Sequence, residues 1–159
     1  MNHSWSVGFN FGVTSGIITT LGLMMGLESA TSSKLAVIGG IMTIAVADAC
    51  SDALGIHISE EWENKHTRRE VWQSTISTFL FKFVFASIFI ISFLFFEMLT
   101  AVYVNVVIGF VLLTVFSYKL AKNQKSEKPM GVVFEHLILT AIVIAASYFV
   151  GKIVGSFFK

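Results

Sequence analysis

Long apolar stretches alternate with short polar connections along this chain. Five apolar segments stand out: about Val7 to Leu27, Ala36 to Ile58, Ser74 to Phe96, Leu99 to Lys119 and Val132 to Phe157. Each is about as long as the roughly 20 residues a helix needs to cross a hydrocarbon core. None alternates with a period of two, and a membrane strand would need only about 9–11 residues. An open sheet would leave backbone groups unpaired in lipid. The pattern predicts an all-α integral membrane bundle of five transmembrane helices, forming one domain over residues 1–159.

Composition narrows the field further. Hydrophobic residues make up 55% of the 159 residues and charged residues 13%, against roughly 25% charged in soluble domains. That excludes a soluble globular protein, a disordered chain and a disulfide scaffold, since Cys50 is the single cysteine. A net charge of +1 gives no reason to expect nucleic acid as a partner. The lipid bilayer is the first partner. Met1 to Ser6 contain no Lys or Arg, so the first apolar run reads as a permanent span rather than a cleaved signal.

Basic residues orient the bundle. Lys65, Arg68, Arg69, Lys119, Lys122, Lys125 and Lys128 all fall on the side of the N-terminus, whereas Lys34, Lys152 and Lys159 fall on the other. The bias predicts a cytosolic N-terminus. The expected location is a multi-pass membrane protein, in the cell membrane of a prokaryote or an organelle membrane otherwise.

Candidate chemistry is concentrated in the second span. Asp48 and Asp52 are the only aspartates in the chain. Four residues apart on a helix, they share a face. Intramembrane acids are costly, face a bundle interior or a water-filled path, and are functional candidates by default. Paired carboxylates supply hard oxygen ligands to a divalent cation and can exchange protons. Lys82, in the third span, lies at the depth of Asp52. A structural reading therefore stands beside the ionic one: an Asp52–Lys82 ion pair that braces the bundle.

The first span carries small residues at Gly8, Gly12, Ser15, Thr19, Gly22 and Gly26, with Gly16 beside them. Such a stripe means close helix approach. Two readings stay open and do not exclude each other: packing against another span of the same chain, or a sharper role as the wall of a polar path or as a homodimer seam along Gly8, Gly12, Gly16, Gly22 and Gly26.

Weaker signals lie at the cytosolic side. Glu60, Glu61, Glu63 and His66 could gather cations there, although Glu63-Asn64-Lys65-His66 reads more simply as a solvated helix end. His57 points away from the aspartate face and reads as a helix contact. Glu135 and His136 read as interface residues, Met24 and Met25 as packing. No nucleophile elbow, phosphate loop or His/Cys cluster is present, so no enzymatic activity and no permanently bound cofactor are expected.

The stretch from Thr14 to Leu27 resembles the first span of the vacuolar iron transporter family. Ala49-Cys50-Ser51-Asp52-Ala53-Leu54-Gly55 is similar to that family's second-span motif, and Thr140 to Gly155 to its last span. The resemblance implies a homodimer that exchanges ferrous iron or manganese for protons, with the first spans of two subunits lining the path. This chain has Ser15 where the family has an aspartate, Asp48 and Asp52 where it has methionines, and Ile44 where it has a glutamate. Hard oxygen thus replaces soft sulfur. The expectation is a proton-coupled exporter of a divalent cation, Fe²⁺ or Mn²⁺, as transported substrate. Asp48 and Asp52 form its site, Ser15 and Thr19 add oxygen ligands, and Glu63 helps to gather ions. The alternative is a transporter-like scaffold or partner subunit that no longer transports.

Overall fold

Helix ends fall where local chemistry stops a helix. The computed structural model describes residues 3–158. Its helices are α1 (His3–Thr31), α2 (Lys34–Glu63), α3 (Arg68–Ile88), α4 (Ile90–Phe95), α5 (Met98–Asn123) and α6 (Pro129–Phe157). The Ser33 hydroxyl accepts from the Ala36 N–H and opens α2, while Asn64 closes it in the left-handed region at φ 51°. Thr67 and Glu70 form a reciprocal capping box on α3. Pro129 sits in the first turn of α6, where its missing N–H costs nothing. There is no strand among the described residues. Five helical segments, α3 and α4 counted together, are long and apolar enough to cross a membrane. The fold class is the one the apolar runs predict.

α1 is the central helix. Half of its most apolar window is buried, against 17–33% for the other four spans. It packs against α2, α3, α5 and α6. Val13, Ile17, Leu21 and Met24 of α1 form the core with Val37 and Ile41 of α2, Phe89 and Phe93, and Ala101, Val102 and Leu113 of α5.

The small-residue stripe is consumed by this packing, which corrects the reading of it as a dimer seam. A Cβ on Gly8 would lie 2.6 Å from the Ser74 carbonyl oxygen, on Gly12 2.7 Å from that of Thr78, and on Gly16 3.0 Å from that of Lys82. Those three glycines seat α3. A Cβ on Gly22 would meet Val143 at 2.9 Å, and one on Gly26 would meet the Ser147 carbonyl oxygen at 3.3 Å. Those two seat α6. Neighbours from the same chain therefore occupy the space in front of all five.

The third apolar run is not one continuous helix. It breaks at Phe89, between α3 and α4. The Asn105 amide of α5 donates to the Phe89 carbonyl at 2.8 Å and lies 3.4 Å from the Met24 sulfur. The Ser92 hydroxyl also donates to the Phe89 carbonyl, at 3.1 Å, so two side chains add hydrogen bonds at the break. Asn105→Leu is expected to cost about 1 kcal/mol, the scale of interhelical hydrogen bonds in bilayers. Detergent-titrated unfolding in mixed micelles would measure it.

Candidate ion site

Three helices bring polar side chains to one depth. Counting about 1.5 Å per residue, Ser15 lies 12 residues (about 18 Å) from the start of α1. Asp52 lies 11 (about 17 Å) from the end of α2, and Lys82 lies 14 (about 21 Å) from the start of α3. All three ends belong to the same end of the bundle. Gly12 and Gly16 let the α3 backbone at Lys82 come against α1, so the glycines set where the lysine sits.

The Lys82 side chain is 1% exposed, and its ammonium meets both aspartates. Nζ is 2.6 Å from Asp48 Oδ2, in direct contact with Asp52 Oδ2, and 2.9 Å from Ser15 Oγ. An ammonium has three N–H donors; two make hydrogen bonds, to Asp52 and Ser15, and Asp48 stands beside them as an ion-pair partner. Ser15 in turn donates to Asp52 Oδ2 at 2.8 Å. Counted formally, two carboxylates and one ammonium leave a charge of −1.

The site is sealed on one side only. The side chain of Asp48 is 33% exposed and that of Asp52 23%. Thr19, Leu23, Ile44, Ala47, Asp48 and Ser51 line an opening of about 490 Å³ beside the pair. The Thr19 hydroxyl donates to the Ser15 carbonyl at 2.9 Å, so what its oxygen can offer a cation is acceptor lone pairs. Next to the aspartates, Gly39, Thr43, Ala47, Ser51 and Gly55 follow at four-residue spacing on α2, and all are exposed. A Cβ on Gly39 or Gly55 would meet nothing within 4 Å.

The remaining candidate residues lie elsewhere. Glu63 is not part of the aspartate site. It sits at the end of α2, 11 residues (about 17 Å) from Asp52, where Lys65 approaches it at 3.8 Å. Glu61 pairs with His57 at 3.4 Å. His57 also meets Thr75 at 2.9 Å and packs edge-on to Trp72, which makes it an α2–α3 contact. Glu60 is 8% exposed, and its carboxylate is 3.6 Å from His66 Nε2. His136 bonds to Ser117 at 2.7 Å. Among the described residues no three His, Cys, Asp or Glu side chains stand close enough to hold a metal ion. One copy of the chain therefore offers two carboxylates and neighbouring hydroxyls, not a complete cage.

Sequence reasoning placed Lys82 level with Asp52 but paired it with that residue alone. The second contact, to Asp48, and the bridging role of Ser15 depend on the rotation of α3 about its axis, which no count along the chain supplies. Comparison of the chain with protein-family models, with curated proteins and with solved structures returned no match.

Proposed function

We propose that this chain is a membrane carrier of a divalent cation, Fe²⁺ or Mn²⁺, that works as a homodimer and exchanges the cation for protons at Asp48 and Asp52. The observation that carries this reading is the convergence of both carboxylates, deep in the bundle, on a single cationic group beside an opening. The Lys82 ammonium occupies the position a cation would take. Transport then amounts to competition: an incoming ion takes over carboxylate oxygens from the lysine. Oxygen from Asp48, Asp52, Ser15, Thr19 and Ser51 suits hard or borderline divalent ions.

The same geometry supports the dimer in this reading. Partly exposed carboxylates at membrane depth need cover from protein or water. The outward ridge of Gly39, Thr43, Ala47, Ser51 and Gly55 is the kind of surface on which two membrane helices meet. Two copies facing each other there bring two sites of formal charge −1 together, and one divalent cation balances them. On this reading the seam lies on α2 rather than along the α1 glycines.

Proteoliposome flux tests the proposal. Fe²⁺, Mn²⁺, Co²⁺, Mg²⁺ and Ca²⁺ would each be offered under a proton gradient. Wild type is expected to carry at least one of them. Asp48→Asn with Asp52→Asn is expected to lose at least about 100-fold, more than the loss of outer-shell partners at metal sites. Unchanged flux in that variant would sink the carrier reading.

One observation favours a second reading, a scaffold that does not transport. The Lys82 ammonium already has both carboxylates and the Ser15 hydroxyl as partners and is fully buried, which is also how a structural strut is built. Folded wild-type protein that carries none of the five ions would support it.

A further inference from the structure

A cavity of about 570 Å³ lies between α1 and α5, at the end of the bundle where α1 begins and α5 finishes. It shares no lining residue with the aspartate site, and nothing in the carrier reading uses it. Its polar wall consists of His3, Ser6 and Asn10 from α1, with Lys119, Asn123 and Gln124 from α5 and its cap. Each of these side chains can donate an N–H or O–H, and among the described residues no carboxylate lines the cavity. The apolar wall includes the Phe9 and Phe116 rings, in edge contact at 5.6 Å. The volume falls within the roughly 300–1,000 Å³ of small-molecule sites.

Charge agrees with the lining. Of the 11 Lys and Arg residues, Lys65, Arg68, Arg69, Lys119, Lys122, Lys125 and Lys128 belong to this end of the bundle. Basic pockets between membrane helices hold anionic headgroups. Donors at the rim and aromatic rings within suit a phosphate whose attached chain continues toward the hydrocarbon.

We propose that the α1–α5 cavity is a phosphate-group site, filled by the headgroup of an anionic phospholipid or by a soluble phosphate, with Lys119 supplying the charge and the amides of Asn10 and Asn123 further hydrogen bonds. The proposal stands whether or not the chain carries cations.

Native mass spectrometry of the full chain in detergent tests it, with phosphatidylglycerol, phosphatidylcholine and inorganic phosphate as probes. Phosphatidylglycerol is expected to be retained in preference to phosphatidylcholine. Lys119→Ala is expected to weaken that binding about tenfold, the effect of losing one charge-assisted hydrogen bond. Lys119 is exposed, so its truncation leaves the bundle core untouched. Asn123→Ala, which keeps every charge, is expected to weaken it less. Arg69→Ala removes a positive charge from the same end but outside the cavity, and is expected to change little. Displacement of the lipid by millimolar inorganic phosphate would identify a soluble phosphate as the occupant, and resistance to displacement would identify the lipid. Equal losses in Lys119→Ala and Arg69→Ala would overturn the proposal by reducing it to general surface charge. So would failure of wild type to retain any probe.

Discussion

Lys82→Met is expected to destabilise the bundle by about 3–5 kcal/mol, because it strands two carboxylates that share one counter-charge. The cost comes from the partners left behind rather than from the lysine itself. A triple variant, Asp48→Asn with Asp52→Asn and Lys82→Met, removes every charge together. It is expected to recover most of the loss, since neutral replacement of a buried ionic group is often tolerated. Unfolding of each variant in mixed micelles reads both effects. Lys82→Met with wild-type stability would mean that water reaches the aspartates freely and that the lysine is not their principal counter-ion. A charge exchange, Asp52→Lys with Lys82→Asp, then separates strut from ion site. Recovered folding with lost flux fits a carrier, and recovered folding of a protein whose wild type never carried ions fits the scaffold.

Gly12→Ala is expected to cost about 1–3 kcal/mol, the range for forcing extra volume into a tight contact. Its Cβ would sit 2.7 Å from the Thr78 carbonyl oxygen and 3.0 Å from the Lys82 backbone nitrogen, so two helix backbones must separate. The same shift moves the Lys82 ammonium relative to the aspartates, so the effect reaches the ion site from one turn away. Gly39→Ala on α2 is the counterpart. Its added methyl meets nothing within 4 Å, and it removes a glycine from a helix interior, so stability is expected to rise by up to about 0.5–1 kcal/mol. Gly39→Leu keeps the subunit fold but is expected to abolish a dimer built on the α2 ridge, as measured by light scattering in detergent. A dimer that survives Gly39→Leu, with Ala47→Leu added, would place the seam elsewhere.

These two glycines also mark what sequence alone can say. Gly12 and Gly39 both look like small residues in apolar spans. A stripe of glycine announces that something comes close but does not name it. The α1 stripe is filled by α3 at one end and α6 at the other. The α2 ridge went unremarked in the sequence because Thr43 and Ala47 interrupt the glycines, and only the packed bundle leaves it uncovered.

The five spans, their all-helical character and the depth of each charged residue were legible without a structure. The reason is that bilayer thickness and the helical rise are fixed lengths, so residues can simply be counted. The connections were legible too, as short polar stretches between the apolar runs. What tertiary structure decided was rotation: which way α3 turns Lys82, which helices cover α1, and which backbone carbonyl, that of Phe89, meets Asn105. Lipid is as apolar as the spans themselves, so hydropathy does not distinguish the face that meets lipid from the face that meets protein. In a bilayer that choice falls to close packing and to pairing of the few polar groups, and both depend on residues far apart in the chain.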